Sequence, residues 1–234
     1  VPEIDPETLG ASLRRLSGVR DQALEQALRE TVTACVDLFD VTGSGLMVAD
    51  EQNTLRYVAA SDGPGRELEL IQSDTGQGPC VDTFVHNRVV ATEDLVTDER
   101  WPADRPAVEE LGVRAMLGVP VRLSGIVVGS LDVYRSEPGV WDDTEIAALQ
   151  RYADVIEATM HAALRAHSAD ELASQLQYAL DYRVVIERAV GFLMGRDGVG
   201  AVAAFDVLRR AARHDRRRIA DVAQQLLDTG RMRG

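Results

Sequence analysis

"RAMLGVPVRLSGIVVGSLDVYR", from Arg114 to Arg135, decides the fold class. Two apolar runs flank Ser124-Gly125, and a two-residue polar linker with glycine between such runs is a hairpin signal. Moving upstream, "RVVAT" (88–92) reads as another strand. "GLMVAD" (45–50) and "TLRYVAAS" (54–61) form a strand pair around an Asp-Glu-Gln-Asn turn. Between these lie "ELELIQ" (67–72) and "CVDTFVHN" (80–87), two short helices separated by the glycine-rich loop "SDTGQGP". "DERWPADRPAVEELGV" (98–113) reads as a loop running into a helix that stops at Gly112. Five strands with neighbouring hairpins predict a mainly antiparallel sheet with helices packed on it, an α+β class.

Outside the sheet the pattern is helical. Residues 7–39 carry one stripe through Ala23, Leu24, Ala27, Leu28, Thr31, Val32, Cys35 and Leu38. From Trp141 onward, Ile146, Leu149, Ala153, Ile156, Met160, Ala163 and His167 alternate at three and four, the spacing of a seam between two helices. The phase is then lost. "SADE" (168–171) matches a capping box, which predicts a kink or re-phasing there rather than one uninterrupted helix. Three more helices are expected: about Ala169 to Arg196, about Val199 to His214, and a third with Asp215 as N-cap that ends at Gly230. Two domains are expected, 1–165 and 166–234, joined by a long connecting helix.

Charge divides the same way. The net charge is −13, yet the segment from Asp170 on holds 11 Arg against 9 acidic residues, +2, which leaves −15 for the first 169. Every basic residue is Arg. An acidic body with an arginine-studded tail fits a regulated polyanion binder, or simply a solvated helical face. No run reaches the ~20 apolar residues of a membrane span, and "VPEIDPETLG" has no basic start before an apolar run, so a cytoplasmic location is expected. Two cysteines, Cys35 and Cys80, give no disulfide framework.

Catalysis finds no support. His86, His161, His167 and His214 are scattered, and no HExxH or CxxC spacing suggests a metal. "GSG" and "GQG" lack the Lys-Ser/Thr of a phosphate loop. Cys80, at a possible helix start, reads either as a sensor thiol or as a small buried apolar group. No cofactor is identified.

The tail "LQYALDYRVVIERAVGFLMGRDGVGAVAAFDVLRRAARHDRRRIADVAQQLL" resembles the ANTAR domain over about 170–228. The match lies in Leu176, Ala179, Leu180, Arg183, Ile186, Glu187, Ala189, Gly191, Leu193, Met194, Ala204, Phe205, Leu208, Arg209, Ala212, Asp221 and Ala223. The resemblance implies an all-α three-helix bundle that dimerises and binds paired RNA stem-loops of a leader transcript, preventing a terminator hairpin. Under it, Arg183, Arg188, Arg209, Arg210, Arg213, Arg216, Arg217 and Arg218 are the RNA-binding candidates. Arg183 alternatively pairs with Glu187 at i+4. Gly191 either lets a partner approach the helix or admits Phe205 or Leu208, and the second is preferred; Met194 is expected in the core. Val190 stands where the family usually has Lys.

"GPCVDTFVHNRVVATEDLVTDERWP" and "LGVRAMLGVPVRLSGIVVGSLDVYRSEPGVWDDTEIAALQRYADVIE" resemble a GAF domain of the kind fused to ANTAR in actinobacteria, over about 20–165. That implies a sensory module for a small molecule or for dimerisation, with Cys80, Phe84 and Trp101 as pocket candidates or core residues. The combined expectation is a homodimeric, non-enzymatic, signal-responsive antitermination regulator. A DNA-binding repressor and a pure partner-binding module are the alternatives.

Overall fold

The computed structural model describes residues 4–17, 24–50, 54–165 and 171–232. Its centre is a five-stranded antiparallel sheet in the order β2-β1-β5-β4-β3, formed by β1 (Gly43–Ala49), β2 (Leu55–Ala60), β3 (Val90–Thr92), β4 (Ala115–Leu123) and β5 (Ile126–Arg135). Ser124 and Gly125 both take positive φ, 54° and 79°, the conformation a tight hairpin between right-twisted strands requires.

Both faces of the sheet are covered, which explains why β1, β4 and β5 are apolar almost throughout and do not alternate with polar residues. One face, with Leu46, Val48, Leu117, Val119, Leu131 and Val133, packs under α2 (Leu24–Phe39) and α6 (Asp143–Arg165), with α1 (Pro6–Ser17) beside them. The other, with Met47, Met116 and Tyr134, packs under α3 (Gly63–Thr75), α4 (Pro79–His86) and α5 (Arg105–Leu111).

Several expected boundaries move. The helix at "ELELIQ" is twice as long, because Asp62 caps it: its carboxylate accepts the Gly65 N–H at 2.9 Å. Ser73 to Thr75, expected in a loop, complete its last turn before Gly76 stops it at φ 68°. The helical stretch 7–39 is divided between α1 and α2; the stripe from Leu24 to Leu38 lies on α2, and 18–23, with Ala23, fall outside the described residues. The seam spacing is used inside the chain: Leu149, Ala153, Ile156 and Met160 of α6 pack on β4 and α2. His167 and most of the capping box lie outside the described residues.

The tail forms α7 (Glu171–Asp197), α8 (Ala201–Asp215) and α9 (Ile219–Thr229) around Ile186, Leu193, Phe205, Leu208, Ile219 and Leu226. Asp215 ends α8 instead of capping α9; the N-cap is Arg218. Among the described residues no helix is long and apolar enough to cross a membrane.

Candidate nucleic-acid interface

The eight arginines occupy three environments. Arg210, Arg213, Arg216 and Arg218 are exposed along the outer side of α8 and the turn into α9. Arg216 is the left-handed C-cap of α8 (φ 51°), and Arg213 and His214 sit in its last turn. Cations at a helix C-terminus meet the negative end of its dipole, so Arg213 and Arg216 suit the end of α8, whereas Arg218, the N-cap of α9, meets the positive end. Arg217 is half-buried and donates to Gln225 Oε1 and to the Asp221 carbonyl at 3.3 Å. Arg188 is exposed on α7.

Arg183 and Arg209 turn the other way, onto α3 and α4. Arg183 is 5% exposed. Its guanidinium stacks over the Phe84 ring, Cζ 4.1 Å from the centroid, and Nη2 donates to the Phe84 carbonyl at 3.4 Å. Nε donates to Glu187 at 3.1 Å, so the i+4 pair exists together with the stack. Burial lowers the Arg183 pKa, opposed by Glu187. Arg209 pairs with Asp206 at 2.8 Å and lays its guanidinium on Gly76, the C-cap of α3. Phe205 and Arg209 share a narrow crevice with Leu55, Ser73, Val81 and Val85. The tail is thus docked on the sheet domain through the two arginines nearest its inner face.

Gly191 is exposed, with nothing beyond its chain neighbours and its own helix backbone within 4 Å of where a Cβ would stand. It does not admit Phe205 or Leu208, contrary to the preferred expectation. Met194 is 39% exposed, not core, and with Val184 (41%) and Phe192 (38%) it leaves large apolar side chains on α7 facing solvent. Val184 and Phe192 bracket Arg188 and Gly191 at helical spacing; their exposure was not legible in the sequence because valine and phenylalanine also suit a core.

Cys80, Phe84 and Trp101 come together in the core between the sheet and α3–α5, at 0%, 1% and 3% exposure. Trp101 Nε1 donates to Asp82 at 3.2 Å, and Arg100 covers its ring at 4.2 Å. Burial, then the neighbouring Asp132 and Glu69, drive the Cys80 thiol well above its ordinary pKa, the opposite of a reactive thiolate.

A model of the GAF domain matches residues 23–160, and a model of the ANTAR domain matches 174–227. Among solved structures, the GAF domain of a phosphoenolpyruvate-protein phosphotransferase from Coxiella burnetii is 21% identical, with TM-score 0.55 over 70% of this chain and 98% of that one. The phycocyanobilin-bound GAF domain of a cyanobacterial phytochrome is 16% identical, with TM-score 0.57 over 68% and 97%. Free methionine-R-sulfoxide reductase from Neisseria meningitidis, in complex with its substrate, is 19% identical, with TM-score 0.55 over 68% and 90%. These likenesses concern the fold. A search of curated proteins finds no match.

Proposed function

The chain belongs to the GAF family and carries an ANTAR domain behind it, and on that premise we propose that it is a signal-responsive, RNA-binding antitermination regulator without catalytic activity. The domains divide near residue 165. The GAF domain takes the signal in the cytoplasm, and two ANTAR bundles held in a homodimer grip two stem-loops at once, so that the second contact becomes effectively intramolecular.

The observation that carries the reading is the division of the arginines. Arg210, Arg213, Arg216 and Arg218 offer an exposed rim able to follow a phosphate backbone, with Arg188 on α7. Arg183 and Arg209 are held on the sensory domain. A signal that loosens α3 and α4 frees two further guanidinium groups for phosphates or unpaired bases. RNA affinity is thereby coupled to the state of the GAF domain.

Gel shifts of the full chain with a tandem RNA hairpin and with duplex DNA test the proposal. Tighter binding of the hairpins is expected, falling with salt at a log–log slope of about 0.7 per phosphate contacted in single-stranded loops. Preference for the duplex, or no binding to any hairpin at low salt, overturns it.

A further inference from the structure

Across the middle of the sheet, on the face beneath α3 and α4, three residues lie in register: Gly45 of β1, Asp132 of β5 and Gly118 of β4. Having no side chains, the two glycines let Glu69 and Thr83 close in on either side of a central carboxyl group. Glu69 of α3 descends over Gly45, so close that a Cβ there would meet its carboxylate. Thr83 of α4 descends over Gly118, where a Cβ would lie 2.5 Å from Asp132 Oδ1 and 2.7 Å from Thr83 Oγ1. Glu69, Thr83 and Asp132 are 2%, 0% and 1% exposed.

Their hydrogen bonding is incomplete. Ser130 donates to Asp132 Oδ1 at 2.9 Å. Asp132 Oδ2, both oxygens of Glu69 and Thr83 Oγ1 have no N–H or O–H partner among the described residues. The Cys80 thiol also hydrogen-bonds the Asp132 carboxyl; buried polar atoms are nearly always paired, so the remaining orphans on Glu69 and Thr83, facing that carboxyl from α3 and α4, call for a missing donor. The charged groups around the row are acidic: Asp132 and Asp62 act on Glu69, and Asp132, Glu69 and Asp104 act on Cys80 of α4. Two buried carboxyl groups this close disfavour each other's ionisation, and Asp132 is pushed up to about 7, chiefly by burial.

We infer that the Gly45–Asp132–Gly118 row is a binding site for the ammonium group of a small organic amine, seated among Glu69, Asp132 and Thr83. An ammonium carries donors only, and the orphans offer acceptors. Among the described residues no three His, Cys, Asp or Glu side chains are grouped to hold a metal ion, which sets an amine ahead of a metal. The site also lies where a guest can be felt. Thr83 and Cys80 are on the inner side of α4, whereas Phe84 and Val85, next along the same helix, touch Arg183 and the ANTAR core. A guest that lifts α4 from the sheet disturbs the Arg183 stack directly.

The inference deepens the sensor reading and is separable from it, because its test contains no RNA. Calorimetric titration and thermal unfolding of the full chain are followed with methylammonium and ethanolamine, against tetramethylammonium and magnesium chloride at matched ionic strength. The two primary amines are expected to bind and raise the Tm. Binding is expected to tighten between about pH 6 and about pH 8, as the carboxyl groups lose protons. Glu69→Gln and Asp132→Asn are expected to weaken binding about tenfold or more, the loss of a charged hydrogen bond. Thr83→Val, which keeps shape and fold, is expected to weaken it about threefold or more. Equal stabilisation by tetramethylammonium, a response to magnesium alone, undiminished binding by all three variants, or no response to either amine at about 100 mM, an affinity too weak to matter, overturns the inference.

Discussion

Phe84→Leu separates docking from RNA contact, because Phe84 lies on the sensory side of the Arg183 stack. A buried cation–π contact contributes about 2 kcal/mol, and leucine returns part of it as dispersion. The net loss at the docking contact is then about 1–2 kcal/mol, equal to a rise of roughly 5- to 30-fold in the undocked population. Phe84 is also in the core of its own domain, so the change costs a further ~1 kcal/mol of GAF stability through the cavity it leaves. Hydrogen exchange reads the first effect directly: amides of α7 near Arg183 and of α8 should exchange faster by that factor, while those of β4 and β5 remain protected. If docking occludes Arg183 and Arg209, affinity for a tandem hairpin should rise by a similar factor while the undocked form stays the minor one. Faster exchange with unchanged RNA affinity would refute occlusion. Unchanged exchange would refute the contact itself.

Four other outcomes follow from named contacts. Asp132 has a folded pKa of about 7 against an ordinary value of 3.8, so its contribution favours folding below about pH 4 and is lost as pH rises through 7. Urea midpoints should therefore fall across that window in the native chain, and Asp132→Asn should flatten the dependence. Gly118→Ala would drive a methyl group between Asp132 and Thr83, for a loss of about 1–3 kcal/mol in chemical denaturation. Gly191→Ala meets empty space and should stabilise the tail by up to ~1 kcal/mol on helix propensity, with weaker RNA binding if a partner approaches the backbone there. Arg210→Ala, Arg213→Ala and Arg216→Ala should each reduce the salt slope of hairpin binding by about 0.7 for every phosphate contact removed, measured by fluorescence titration.

Much of this architecture was legible because local signals agreed with the global fold. The Ser124-Gly125 hairpin and the stop at Gly112 each depend on a residue and its immediate neighbours. Boundaries went astray at helix ends, where capping sets the limit. Asp62 lengthened α3 by capping it, and Asp215 proved to be the last residue of α8. The alternation through α6 was legible as a seam, but periodicity does not say which surface fills it, and here the chain's own α2 and β4 do.

By itself, the sequence determined the order and type of most elements, the split between an acidic front and an arginine-rich tail, and the resemblance of each half to a family. Those properties follow from residue type and short-range spacing. Only the tertiary structure decided which arginines face solvent and which dock on Phe84 and Gly76. It alone brought Glu69, Thr83 and Asp132 from three separate elements onto one row of the sheet. Burial and proximity between distant residues arise from packing, and a one-dimensional pattern carries the period of a face without naming what lies against it.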